Sequence, residues 1–134
     1  MRQALDQAHI VRARTSGDAA GLFAPLGVKA WRGASGRSFT HIVFSLIGCP
    51  AIPSGNFVLV RHGADGRRNV LGIGRTEAST ASLNLARIRR EGAGLGANEV
   101  HVYAAATTDQ ARAAIAFDIA AANKVAGSSD IAHH

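Results

Sequence analysis

Two short apolar runs, Gly55-Asn56-Phe57-Val58-Leu59-Val60 and Asn69-Val70-Leu71-Gly72-Ile73-Gly74, flank the polar turn Ala64-Asp65-Gly66-Arg67. β-branched and aromatic runs of six residues are too short for buried helices, and an Asp-Gly pair between them supplies the positive φ of a tight connection. The chain is therefore committed to a β-hairpin at its centre, and the remaining segments must supply partners for its edges and faces. The run Phe39-Thr40-His41-Ile42-Val43-Phe44-Ser45-Leu46, stopped by Gly48-Cys49-Pro50, reads as a strand before the hairpin, and Glu99-Val100-His101-Val102-Tyr103-Ala104 as one after it. The alternation in the second of these leaves His101 exposed or partly packed.

Helical spacing appears in three places. Leu5, Ala8 and Val11 form an apolar stripe within Met1–Thr15. Leu83, Leu85, Ile88 and Glu91 follow the capping hydroxyls of Ser79-Thr80-Ala81-Ser82 and are ended by Gly92, Gly94 and Gly96. Ala111, Ala114, Ile115, Ile119 and Ala122 follow the cap Thr107-Thr108-Asp109-Gln110. Gly17, Gly21, Pro25 and Gly27 break regularity, and residues Trp31 to Ser38 are rich in glycine and polar groups. The order helix, strand, hairpin, helix, strand, helix predicts an α/β (α+β) fold: a small mixed, mainly antiparallel sheet with helices against it. One domain over residues 1–126 is expected, with an N-terminal helical extension over about residues 1–30 and a small, polar tail over residues 127–134. No internal repeat or linker is evident. His133 and His134 resemble the remnant of a purification tag and carry no functional argument.

Of the 134 residues, 47% are apolar, yet no run approaches a membrane span, and the charged start Met1-Arg2 lacks the pattern of a signal peptide. A cytoplasmic location without membrane attachment is expected. Cys49 is single, which excludes an internal disulfide or a cysteine metal cluster and reads as a small buried hydrophobe. Trp31, Phe39, Phe44, Phe57 and Phe117 read as core and form no stacking stripe for bases. His9 and His41 have no partner at metal-ligand spacing.

Fifteen basic residues against nine acidic give a net charge of +6, and thirteen of the fifteen are arginine. The planar guanidinium fork matches phosphate oxygens, so the balance favours a polyanion, although a GC-rich genome also raises arginine and alanine. Arg61, His62, Arg67 and Arg68 on the hairpin, Arg75 after it, and Arg87 and Arg90 on the next helix are the candidate nucleic-acid-binding residues, with Arg89 beside them. The bland counterpart is a solvated basic face in which Arg87 and Glu91 pair at i,i+4.

Gly55-Asn56-Phe57, Gly72-Ile73-Gly74, Arg87 in the following helix and Ala116 in the last one together resemble the GIY-YIG nuclease-like superfamily, in elements ordered alike from Ser38 to Lys124. The resemblance implies a strand carrying the first motif, a partner strand ending in the second, a helix with an arginine and a later helix with a metal-binding glutamate. Here Phe57 lacks the hydroxyl, Gly72 has no side chain, and Ala116 stands where the glutamate is implied. Asp118, two residues on, lies about 200° around the helix and is expected to face away from Ala116. The implied function is a DNA-binding domain with a degenerate catalytic motif and no cofactor. The alternatives are a working endonuclease using magnesium or manganese through a carboxylate such as Asp118, and a protein-binding module or homodimer packed through the alanine-rich last helix.

Val58-Leu59-Val60-Arg61-His62-Gly63 also resembles the nucleophile strand of histidine phosphatases. The triplet lies well inside the chain, however, and only His101 follows it before the tail. A phosphate loop around Gly72 and Gly74 is discounted for want of a lysine followed by serine or threonine.

Overall fold

A computed structural model describes residues 24–52, 54–76 and 80–123. The expected helix at Met1–Thr15 and the tail lie outside those residues. The elements are β1 (Gly27–Arg32), β2 (Ser38–Ser45), β3 (Gly55–His62), β4 (Arg68–Thr76), α1 (Ala81–Leu95), β5 (Glu99–Tyr103) and α2 (Asp109–Asn123). They form one five-stranded sheet in the order β1-β2-β5-β3-β4, every pairing antiparallel.

The last strand in sequence is thus the central one, inserted between β2 and β3, with Phe44 opposite Val100 on one side and Leu59 opposite Val100 on the other. Side chains alternate across a strand, so the two faces gather different residues. On one face Ile42, Phe44, Phe57, Leu59, Val100 and Val102 pack with Ile88 and Leu85 of α1. On the other, Trp31, Phe39, Val58, Val60, Ile73 and Tyr103 pack with Ile115, Ala116 and Ile119 of α2. The result is three layers, helix on sheet on helix, with a core on each side of the sheet. β3 is a continuous apolar run because both of its faces are covered.

The hairpin forms as its sequence predicts. Gly66 has φ 84°, the Gly63 N–H donates to the Arg67 carbonyl at 2.9 Å, and the Arg67 N–H donates to Asp65 Oδ1 at 3.0 Å. Pairing shifts between Leu59↔Gly72 and Val60↔Val70, leaving Leu71 as a bulge.

Three expectations need correction. First, Gly27–Arg32 is a strand, not the irregular end of an N-terminal extension: β1 pairs with β2 through the turn Gly33-Ala34-Ser35-Gly36-Arg37. That turn repeats Gly63-Ala64-Asp65-Gly66-Arg67 in both sequence and geometry. Gly36 has φ 91°, Gly33 N–H donates to Arg37 O at 2.8 Å, and Arg37 N–H donates to Ser35 Oγ at 3.3 Å. An internal turn repeat therefore exists, and Ser35 plays the part of Asp65. Secondly, Gly92 and Gly94 do not end α1, which runs to Leu95 and closes on Gly96 at φ 86°. Gly92 faces Leu46 so closely that a Cβ there would stand 2.8 Å from a Leu46 methyl. Thirdly, Phe117 is not core: it is 78% exposed on the outer side of α2, and Leu83 of the expected α1 stripe is exposed as well. In α1 the buried positions are Asn84, Ile88 and Gly92, one face at i, i+4, i+8. Thr80 occupies the N-cap position of α1 but makes no side-chain capping bond, whereas Thr108 Oγ1 accepts from the Ala111 N–H at 3.0 Å at the start of α2.

Candidate nucleic-acid interface

The sheet brings His62 and Arg68 together through a residue that sequence reasoning passed over. His62 and Arg68 are cross-strand partners at the hairpin end, and β5 starts beside them with Glu99, opposite Val60. Arg68 Nε donates to Glu99 Oε1 at 3.0 Å, and His62 Nδ1 donates to Oε2 at 2.9 Å. His101 Nε2 reaches the same Oε1 at 2.9 Å, while its Nδ1 accepts from the Trp31 indole at 2.9 Å. An indole can only donate, so His101 is neutral with its proton on Nε2. Burial pushes the Glu99 carboxyl up, but the bonds from His101, Arg68 and His62 together outweigh it and hold the pKa below its ordinary value. Burial lowers the pKa of His101 more than its bond to Glu99 raises it. The expectation that His101 is exposed or partly packed is overturned: it is 0% exposed, because β5 is central and both its faces are covered. No local signal marks Glu99, since its role depends on which strands flank β5. Asn98 secures the same end of the sheet, accepting from the His62 N–H at 2.8 Å and donating to its carbonyl at 3.0 Å.

Of the other candidate residues, Arg61 and Arg67 adjoin His62 and Arg68 at the same hairpin end, whereas Arg75 and Arg87 lie far from the cluster. Arg75 pairs with Asn56 at the far end of β4, seven residues from Arg68, and at about 3.4 Å per residue that separates them by roughly 24 Å. Its guanidinium meets Asp109 at the start of α2 at 3.4 Å. Arg87 donates to the Arg75 carbonyl at 2.7 Å and pairs with Glu91 at 3.9 Å, as the i,i+4 spacing predicts. Arg89 is tied to the carbonyls of Ile47 and Cys49. Arg61 and Arg90 are exposed, and Arg67 at the hairpin tip faces Asp65 at 3.8 Å with both side chains in solvent. Cys49 is fully buried, as expected, and burial pushes its thiol up to about 12.

The charges are distributed unevenly. Asp65, Glu91, Glu99, Asp109 and Asp118 are the acidic groups of the described residues, and each is engaged within the fold. By contrast, Arg32, Arg37, Arg61 and Arg90 are exposed and form no ion pair among the described residues. Arg32 and Arg37 flank the β1–β2 turn, and Arg61 lies at the opposite end of the sheet beside the β3–β4 turn.

The positions to which the resemblance assigns nuclease chemistry carry no metal-ligating side chain. Phe57 and Gly72 are buried in the sheet, and Ala116 is packed against it. Asp118 points the other way, as expected: its Oδ2 accepts from Ser35 Oγ at 2.6 Å and its Oδ1 from the Ser35 N–H at 2.8 Å. These two bonds hold its carboxyl below the ordinary range. Among the described residues no three His, Cys, Asp or Glu side chains come together as a metal site, and no helix is long and apolar enough to cross a membrane. The chain matches no protein-family model, no curated protein and no solved structure.

Proposed function

We propose that this chain is a nucleic-acid-binding domain, most simply a DNA-binding one, that contacts phosphates through exposed arginines and does not cut the strand. The observation that carries the reading is an imbalance of charge: each acidic side chain of the described residues already has a partner within the chain, whereas Arg32, Arg37, Arg61 and Arg90 are exposed and form no ion pair among the described residues. A surface unbalanced in this way attracts a polyanion whatever its sequence. Arg68 is a poor probe of the idea, because replacing it also disrupts the Glu99 cluster.

The test is fluorescence anisotropy with a labelled 20-base-pair duplex at two salt concentrations. Wild-type protein is expected to bind unrelated sequences about equally, with affinity falling steeply as salt rises. Arg61→Ala with Arg90→Ala should weaken all sequences alike and reduce the log–log salt slope by about 2, at roughly 0.9 per phosphate contact. Binding that is insensitive to salt, or unchanged in the double variant, would overturn the assignment of these arginines.

A further inference from the structure

Beside the β1–β2 turn an open groove of about 540 Å³ is lined by Ser35, Arg37 and Phe39 on one side and by Ala113, Phe117 and Asp118 of α2 on the other. Its volume lies within the roughly 300–1,000 Å³ of sites that hold small organic groups. Phe117 is 78% exposed there, next to Ala113 and Ala114 one helical turn back, so its ring stands clear of larger neighbours on its own helix. The core does not account for it, since α2 buries Ile115, Ala116 and Ile119 on its other face. Arg37, exposed and without an ion pair among the described residues, places its guanidinium 5.1 Å from the ring centre of Phe39 at the groove floor. The Ser35 bonds fix the Asp118 carboxylate, and each of its oxygens keeps acceptor capacity.

We infer that this groove is a stacking site for an unpaired nucleobase of single-stranded nucleic acid, with Phe117 as the stacking face and Arg37 as the contact to the adjoining phosphate. The inference rests on the nucleic-acid-binding reading and adds the strand form that is preferred. A flat aromatic ring in solvent beside an exposed guanidinium is the pairing that base-tolerant stacking requires, because every base has a π face and every nucleotide carries a phosphate. Asp118 adds an acceptor for a base N–H. A duplex keeps its bases stacked on one another and has none to offer. A second copy of this chain is the poorer occupant, since it would bring Arg37 and a net charge of +6 against the same surface.

The test compares a labelled 20-nucleotide single strand of mixed sequence with its duplex, using wild type, Phe117→Ala, Phe117→Trp and the Arg61→Ala/Arg90→Ala pair. Phe117→Ala should weaken single-strand binding roughly 5- to 100-fold while leaving duplex binding and its salt slope within about twofold; Phe117→Trp should keep or improve it. Phe117 is exposed, so the folded state is expected to survive both changes, which thermal melts verify. If Phe117→Ala leaves single-strand binding intact while the arginine pair weakens both forms, the stacking site is refuted and phosphate binding stands. If wild type binds neither form, both fall. A dimer in light scattering that Phe117→Ala dissociates would reassign the groove to a second copy and overturn the inference.

Discussion

His41 shows how a single buried side chain ties this fold to pH. Its Nδ1–H donates to the Phe39 carbonyl at 2.7 Å, and among the described residues its Nε2 has no partner. Burial lowers its pKa from 6.5 to about 3, its bond to Phe39 opposes this, and the neighbouring His101 lowers it further. Between those two values the unfolded chain binds a proton that the folded chain refuses, so stability is complete above pH 6.5 and falls as pH drops towards 3. Urea unfolding at pH 7 and pH 5 should show a loss of about 2 kcal/mol from this residue, which His41→Phe should remove. Glu99 acts in a lower window: its pKa is depressed, so its contribution is present above the ordinary carboxyl value and is lost only as pH falls below it. The two groups therefore separate on acidification, the imidazole first.

At the scale of elements, the glycines of α1 differ in kind although they sit at even spacing. Gly94 is exposed inside the helix, and a Cβ there meets nothing within 4 Å, so Gly94→Ala should stabilise by about 0.5–1 kcal/mol. Gly96 holds φ 86° at the helix end and passes its N–H to the Ala93 carbonyl, so Gly96→Ala should cost on the order of 1 kcal/mol. Opposite shifts in the urea midpoint check the pair; equal shifts would mean that the helix ends elsewhere. The hairpins carry the complementary lesson. The β3–β4 turn was legible from its Asp-Gly pair between apolar runs, whereas β1 was not, because Gly27 to Arg32 lies among the breakers Gly21, Pro25 and Gly27 and the glycine-rich residues that follow Trp31. Its signal was the turn: Gly33 to Arg37 repeats Gly63 to Arg67 apart from serine for aspartate.

For the whole molecule, the charge imbalance predicts that a polyanion stabilises the folded state by mass action. A 20-nucleotide single strand at a hundredfold excess over its Kd should add about 2.7 kcal/mol at low salt, read as a rise in Tm, and the gain should vanish near 0.5 M salt. No rise at low salt would contradict a phosphate-binding surface. The basic residues themselves could be read from the chain, but not their grouping: Arg68 and Arg75 lie at opposite ends of one strand, and Arg68 turns inward to Glu99.

Local chemistry by itself determined the hairpin, the two later helices, the positions of β2 and β5, and the excess of arginine, because periodicity, turn residues and charge act over a few neighbouring positions. The tertiary structure alone decided that β5 lies between β2 and β3. That placement buries Glu99 and His101, which an alternating strand would otherwise turn towards water. It also decided that Phe117 faces solvent, because α2 turns Ile115, Ala116 and Ile119 to the sheet, and which face a helix buries is settled by the surface it meets.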